Sequence, residues 1–365
     1  SGDFSVSDTV TITEGTKGMV TMTVNEDSEA ESAETVVITL GSPTNAVTGS
    51  VTERTITIVE ENVAPMIHLS VVQGGTSGRI VAADGGLVTV TANYSDLNPG
   101  DTHTLEWDSA LSGLDYVTID GATVTVDPTS LGDTLMTASA TVTDDGNPIL
   151  SASDSVVVKI LATAPALGAD DSDGDGISDA DEGYGDSDND GIPDYLDNID
   201  ESNLAPVGDS GDVVQTAAGT TVVLGDTAFS SGNNEVGIDE SDVGSADADW
   251  DYLGGLVDFK VSGAQAGATY NVVIPLSGTV PAGAVLRKFM GDNIGWQDFV
   301  ENATNAIHSA MATSGTCPEP GSSAYAPGLP TADGMSEQTI CLELLIEDGG
   351  PNDMDGVANG TVVDP

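Results

Sequence analysis

The residues with the clearest chemistry form an acidic segment in the middle of the chain, from Asp170 to Glu201. It contains fourteen Asp or Glu residues and no Lys or Arg. So many like charges in a short segment repel one another strongly unless cations lie among them. Carboxylate oxygens at this density suit Ca²⁺, whereas Mg²⁺ keeps its waters and zinc favours the His or Cys that the segment lacks. The segment therefore predicts several bound calcium ions.

The acidic residues repeat the spacing of a calcium-binding loop twice. Positions 1, 3, 5, 9 and 12 are acidic, position 6 is glycine, and position 7 is an isoleucine whose backbone carbonyl can bind the ion. The first loop comprises Asp171, Asp173, Asp175, Gly176, Ile177, Asp179 and Glu182. The second, fifteen residues later, comprises Asp186, Asp188, Asp190, Gly191, Ile192, Asp194 and Asp197. A disordered acidic linker is the alternative, but a random acidic run would not repeat the glycine and the isoleucine.

This doubled DxDxDGxxDxx(D/E) pattern resembles the thrombospondin type 3 repeat. In that family the chain wraps around a line of calcium ions and has almost no apolar core. The resemblance implies a core-poor, calcium-wrapped segment at residues 164–202. Glu182 departs from the more usual Asp. The EF-hand is the competing family, but it needs a helix on each side, and Gly183, Gly185 and Pro193 disfavour helices there.

The composition of the whole chain indicates a turn-rich β-protein with several domains. It has 365 residues, of which 39% are hydrophobic, enough for real cores. The net charge of −53 disfavours nucleic acid and anionic membranes as partners and favours cations. No segment reaches the ~18 to 20 apolar residues that span a bilayer, so no membrane insertion is predicted. The chain begins at Ser1 without Met, which indicates a processed or truncated piece of a longer protein.

Residues 1–63 alternate with the period of β-strands at 8–13, 18–24, 34–40 and 53–59. Acidic residues lie between and after these strands. The set resembles the second half of a Calx-beta domain, a family in which such carboxylates bind calcium between domains. The resemblance implies metal ligands at Glu26, Asp27, Glu60 and Glu61, with a solvated acidic loop as the alternative. Because the first half of such a domain is missing, we expect either that the chain is truncated here or that another chain supplies the missing strands through β-augmentation.

Residues 64–163 are predicted to form a second β-sandwich with Trp107 in its core. The stretches 95–107 and 141–148 resemble the PKD or cadherin-like immunoglobulin domains of bacterial surface proteins. By analogy with calcium between cadherin repeats, Asp144 and Asp145 are expected to meet Glu60 and Glu61 across the linker.

Residues 203–365 are predicted to form a third sandwich. The runs GGLVDF (254–259), GWQDFV (295–300), CPEPGSSAYAPGL (317–329) and DGGPNDMDGVANG (348–360) resemble the choice-of-anchor U family, found beside cell-surface sorting signals of Gram-negative bacteria. Cys317 and Cys341 are predicted to form a disulfide in an extracellular chain, with two buried thiols as the alternative. Asp353, Asp355 and Asn359 repeat positions 3, 5 and 9 of a calcium loop, but position 1 is Pro351, so a turn cluster is the alternative to a third metal site.

No catalytic motif accompanies these features, and the three histidines are scattered, so no enzymatic activity is predicted. The sequence thus predicts an all-β chain of tandem sandwiches joined by a calcium-wrapped segment. We expect an extracellular or bacterial cell-surface protein with a structural or adhesive role, its partners being other copies of itself or components of the surface and matrix. A subunit of an extracellular filament or matrix, completed by donor strands, is one alternative. The non-catalytic tail of a secreted enzyme is another.

Overall fold

The computed structural model of the chain describes residues 4–7, 9–12, 20–24, 34–45, 53–58, 62–98, 100–208, 211–232, 234–243, 247, 250, 252, 255–264, 266–276, 280–281, 283–291, 293–329 and 339–364. Strands dominate, which confirms the predicted all-β class. No helix in these residues is long and apolar enough to cross a membrane.

The described residues of the first unit form two strand pairs. The strands are β1 (Phe4–Val6), β2 (Met22–Val24), β3 (Glu34–Thr39) and β4 (Glu53–Ile58). β1 pairs antiparallel with β2, and β3 with β4. Residues 9–12, inside the strand predicted at 8–13, form none. No side chain described between residues 4 and 58 is buried, because two-stranded sheets expose both faces unless another layer covers them.

The second domain is a two-sheet sandwich. Its strands are β5 (Met66–Gln73), β6 (Thr76–Ser77), β7 (Ile80–Ala82), β8 (Val88–Ser95), β9 (Thr104–Trp107), β10 (Val117–Asp120), β11 (Thr123–Val126), β12 (Thr134–Thr143) and β13 (Ser151–Leu161). One sheet has the order β10-β11-β8-β5-β6 and the other β7-β13-β12-β9. The alternating valines of β8 and β11 point into a common core, as strand geometry requires. Trp107 packs against that core while half-buried, and its Nε1 donates to the Gly121 carbonyl.

The acidic segment that follows has no strand. Its only described helical elements are α1 (Asp179–Glu182) and a single 3₁₀ turn at Asp194–Leu196. These are too short to be the flanking helices of an EF-hand. The segment is less core-poor than the resemblance implied, since Ile192 is 1% exposed and belongs to the apolar core of the third domain.

The described residues of the third domain form a six-stranded sheet, a three-stranded sheet and two antiparallel strand pairs. Its elements are β14 (Leu204–Pro206), β15 (Val213–Thr216), β16 (Thr221–Leu224), α2 (Asp226–Ser231), β17 (Gly237–Ile238), β18 (Leu256–Val257), β19 (Phe259–Ser262), β20 (Thr269–Leu276), β21 (Arg287–Phe289), β22 (Trp296–Asp298), β23 (Ala306–Met311), β24 (Ala326–Pro327), β25 (Ile340–Glu347) and β26 (Thr361–Asp364). The sheets run β14-β15-β20-β25-β23-β24 and β16-β19-β26, with β17-β18 and β21-β22 as pairs. Phe259 and Leu224 are fully enclosed between them.

The second and third domains touch directly, and two basic side chains join them. Arg79 donates to the carbonyls of Val157 and Leu224, at 3.2 and 2.9 Å, and its guanidinium lies 3.9 Å from the Phe229 ring centre. Lys260 donates to the Ser155 carbonyl at 2.9 Å. Both cations also approach Asp226, each at 3.4 Å. We call this set the joint, and none of its contacts involves a metal ion.

The predicted disulfide between Cys317 and Cys341 is formed, with Cα atoms 5.6 Å apart. Because the bond closes a loop across 24 residues, the chain-entropy estimate assigns it about 3 kcal/mol of stability. We expect reduction to lower the free energy of unfolding of the third domain by about that amount, measured by urea denaturation with and without reductant. A Cys317→Ser/Cys341→Ser double variant should show the same loss and no response to reductant.

Candidate metal centres

The first acidic loop brings three of its predicted ligands together. One carboxylate oxygen each from Asp171, Asp173 and Asp175 lies within 4.8 Å of the others. Asp171 accepts backbone hydrogen bonds from Gly174 and Gly176, which bends the loop around its own first carboxylate. Glu182 closes the loop, and its Oε2 and the Oδ2 of Asp173 are buried without a hydrogen-bond partner among the described residues. Ile177, by contrast, is 48% exposed.

The second loop repeats this geometry in a more enclosed setting. Asp186, Asp188 and Asp190 again place one oxygen each within 4.8 Å of the others. Asp190 is 0% exposed and Asp186 7% exposed. Asp197, at position 12, is also buried. The third domain helps to enclose this loop, because the Leu224 amide donates to the Asp190 carbonyl at 2.8 Å.

The two loops share the same backbone conformation where the pattern requires it. Gly176 and Gly191, both at position 6, have φ of 99°, a region that side chains with a Cβ rarely adopt. Position 4 is also left-handed in both loops, as Gly174 in the first and Asn189 in the second. This match confirms that the repeat seen in the sequence is a repeat of structure.

The carboxylates at position 9 accept hydrogen bonds from within their own loops. Asp179 accepts hydrogen bonds from the amide and the hydroxyl of Ser172, both at 2.8 Å. Asp194 does the same for Ser187, at 2.7 and 2.9 Å. Each Asp therefore accepts two hydrogen bonds from the serine at position 2 of its own loop. Neither Asp belongs to the three-carboxylate groups. Their assignment as metal ligands stays a prediction.

The second loop holds buried carboxylate oxygens that lack hydrogen-bond partners among the described residues. Asp186 Oδ1, Asp188 Oδ2 and Asp190 Oδ2 are buried without a hydrogen-bond partner among the described residues. An ionised carboxylate removed from water costs several kcal/mol unless a cation or hydrogen bonds compensate it. Three such oxygens on neighbouring side chains form an oxygen cage of the kind that Ca²⁺ occupies. The donor set and its burial therefore fit a calcium ion.

The electrostatics of the second loop follow from this crowding. Burial, helped by the charges of Asp188 and Asp197, raises the pKa of Asp190 to about 9. Burial also raises the pKa of Asp186 and that of Asp197 to about 7 each, with Asp188 contributing to both. In the first loop the pKa values of Asp173 and Glu182 are raised for the same two reasons. Below these raised pKa values, the carboxyls of the second loop hold protons when no cation is bound.

These shifts predict that the calcium-free protein loses stability as pH rises. The folded state keeps the proton on Asp190 up to a pH of about 9, whereas the unfolded chain releases it near pH 4. Between those values the folded state binds more protons, so each step toward higher pH favours unfolding. We expect the Tm measured by calorimetry in a chelator to fall steadily from about pH 5 to about pH 9.

The control for this prediction is Asp190→Asn, which cannot ionise and should flatten the decline. A Tm that rises with pH in the chelator, or an unchanged slope in the variant, would contradict the assignment.

The candidate third site near the carboxyl end has its carboxylates already occupied. Asp353 accepts from the amides of Gly349 and Val363, at 2.8 and 3.0 Å. Asp355 accepts from the Val357 amide and from the Asn359 side chain. These contacts are those expected of the alternative, a turn cluster. Among the described residues, Asp353 and Asp355 do not belong to a three-carboxylate group like those of the acidic loops. A metal role for Asp353, Asp355 and Asn359 stays a prediction.

A further acidic group lies in the second domain near the linker residue Asn62. Asp96, Asp101 and Asp144 place carboxylate oxygens within 4.8 Å of one another. Asp144 also accepts from the Asn62 side chain at 3.0 Å, so the group reaches the linker. Asp144 was predicted from the sequence, whereas Asp96 and Asp101 were not, although DLNPGD holds acidic residues at both ends of a turn. Asp145 lies outside the group and accepts twice from Thr102.

Four predicted ligands, Glu26, Asp27, Glu60 and Glu61, lie outside the described residues. The expected meeting of Asp144 and Asp145 with Glu60 and Glu61 is therefore a prediction still.

Comparison with known proteins identifies no family for the chain. No known family matches the chain. No curated protein matches it. The resemblances to thrombospondin type 3 repeats, Calx-beta and choice-of-anchor U domains therefore stay predictions.

Three of the solved structures that match share 11 to 17% sequence identity with the chain. The fragment PcdhgB3 EC1-4 is 17% identical over 44% of this chain and 40% of its own, with a TM-score of 0.24. Protocadherin Gamma B2 extracellular cadherin domains 3-6 are 11% identical over 94% of this chain and 90% of their own, with a TM-score of 0.25. Carbohydrate-binding modules of the β-sandwich superfamily are 12% identical over 84% and 96%, with a TM-score of 0.19. At these TM-scores we take no ligand or partner from the likeness.

Proposed function

We propose that the chain is a calcium-binding, non-catalytic structural or adhesive protein of the extracellular space, in which Ca²⁺ stiffens the acidic segment between two β-sandwich domains. The bacterial cell surface is the setting that the sequence resemblances favour. The observation that carries the proposal is the second acidic loop, where Asp186, Asp188 and Asp190 hold buried carboxylate oxygens with no hydrogen-bond partner among the described residues.

An ion in that loop would act on both neighbouring domains. The Asp190 carbonyl is held by Leu224 of the third domain, and Ile192 is packed in that domain's core. On the other side, the Ser77 hydroxyl of the second domain donates to the Asp186 carbonyl at 3.4 Å. Neutralising the carboxylates removes the repulsion that would otherwise push the loop open between these contacts. Calcium thus would reinforce the joint that Arg79 and Lys260 already form.

Calcium titration of the chelator-treated protein tests the proposal. We expect isothermal calorimetry to record binding in the ~10⁻⁴ to 10⁻³ M range of extracellular modules. Small-angle scattering should then show a narrower distribution of overall dimensions in calcium than in chelator, since the acidic segment becomes rigid. No heat on titration, together with identical scattering in both conditions, would refute the proposal.

A second candidate function, a subunit of an extracellular filament or matrix, is favoured by the first unit. Its strands expose large apolar side chains that no described residue covers, among them Val24, Val37 and Ile56 at 50, 52 and 38% exposure. A strand from another copy would cover them through β-augmentation. Electron micrographs of regular fibres that lose their order when residues 1–63 are deleted would choose this function, and a monomer by light scattering in calcium would reject it.

A further inference from the structure

Lys288 and Asp364 form an unusual buried contact in the third domain. The Lys288 side chain is 3% exposed and that of Asp364 is 9% exposed, and Nζ lies 2.5 Å from Oδ1. The two residues belong to different sheets, because Lys288 pairs with Gln297 in the β21-β22 hairpin and Asp364 pairs with Phe259 of β19. The contact therefore joins parts of the domain that no backbone ladder connects.

The geometry of this contact differs from that of the other basic residues in the domain and at the joint. Arg79, Lys260 and Arg287 each donate well-directed hydrogen bonds to a carboxylate or a carbonyl. Lys288 Nζ, in contrast, contacts the Asp364 carboxylate and has no other polar partner among the described residues. A buried ammonium with a single partner leaves most of its donors unused, which is costly.

We propose that Lys288 and Asp364 condense into an intramolecular amide, an isopeptide bond between Nζ and Cγ that ties β21 to β26. The ammonium first gives a proton to the carboxylate, which leaves a neutral amine beside a neutral carboxylic acid. The amine lone pair attacks Cγ, the new N–C bond forms, one C–O bond breaks, and the oxygen leaves as water with the displaced protons. Nothing is oxidised or reduced, and no further reactant is needed.

The surroundings favour both the neutral pair and the product. Burial raises the pKa of the Asp364 carboxyl, although the nearby Lys288 charge opposes this, so the acid form is accessible in the folded protein. Low-dielectric surroundings disfavour the two separated charges and tolerate an amide far better. Scarce water also slows the reverse hydrolysis. The product would prevent the last described strand from being peeled off its sheet under tension.

Intact-mass spectrometry of the full chain, after denaturation and reduction of the disulfide, tests this inference. We expect the native chain to be lighter than its sequence mass by one water. Lys288→Arg and Asp364→Ala should each have the full sequence mass, because arginine keeps the charge without condensing and alanine removes the carbon that is attacked. Since the mass is read on denatured protein, the native result stands even where a variant folds poorly.

Peptide mapping separates this bond from other losses of water. The native digest should contain one branched peptide holding both Lys288 and Asp364. A native chain at full sequence mass would overturn the inference. So would a water loss that maps to an aspartyl–glycine position or that persists in Lys288→Arg.

Discussion

Asp190→Asn is expected to remove the thermal stabilisation that a calcium ion in the second acidic loop gives to the protein. With calcium at about 100 times Kd, binding to the native state adds roughly 2.7 kcal/mol of stability. For a domain of the size of the third domain (residues 203–365), this gain in stability corresponds to a rise in Tm of about 5 to 10 °C. In chelator the variant should be at least as stable as the native chain, because asparagine removes the cost of keeping a proton on a buried carboxyl that the unfolded chain would release. Calorimetry in calcium and in chelator measures both quantities.

The opposite behaviour of the two conditions distinguishes a metal ligand from a structural residue. A side chain needed only for folding would lower the Tm in both. Asp170→Asn is the matched control, since Asp170 lies in the same acidic segment, is exposed and belongs to neither three-carboxylate group. If Asp190→Asn still responds to calcium as the native chain does, the second loop does not hold the stabilising ion.

Arg79→Met is expected to destabilise the protein and free the second domain from the third. Methionine keeps the length of the side chain but removes its donors, which leaves the carbonyls of Val157 and Leu224 and the Asp226 carboxylate without them. Removing one partner of a buried charged network costs about 3 to 5 kcal/mol. Urea denaturation should show this loss, and scattering in chelator should show a wider range of domain orientations than in the native chain.

Arg54→Met provides the control, because Arg54 is exposed on β4 and far from the joint in sequence. It should change neither the free energy of unfolding nor the scattering curve. A rigid native-like arrangement of Arg79→Met in chelator would mean that apolar contacts such as that of Val157 hold the domains without the cation.

Local patterns accounted for much of this structure. The aspartates at positions 1, 3 and 5 meet in both acidic loops, since a short turn with glycine at position 6 leaves them no other arrangement. The strands of the second domain also follow their alternating valines, although β13 begins at Ser151, earlier than the apolar run that starts at Ser155. Its partner β12 continues the ladder across polar residues, where periodicity gives no signal.

The features that the sequence did not predict depend on contacts between residues far apart in the chain. Asp101 meets Asp144 only because β9 pairs with β12, with Thr104 opposite Thr143. Arg79 reaches Leu224 only after two domains have docked. The hydrogen bonds of the position-9 aspartates were also not predicted: the serine at position 2 donates to their oxygens, and a ligand pattern does not record such donors.

The placement of the basic residues also determines where trypsin-like proteases can cleave the chain. The chain has seven Lys and Arg in all, and two of them, Lys17 and Arg54, belong to the first unit. The remaining five, Arg79, Lys159, Lys260, Arg287 and Lys288, are buried or half-buried. Enzymes that cleave after basic residues would thus find almost no accessible peptide bond beyond Arg54. A trypsin-like attack would trim the leading strands and leave the two docked sandwiches, with the acidic segment between them, as one durable fragment.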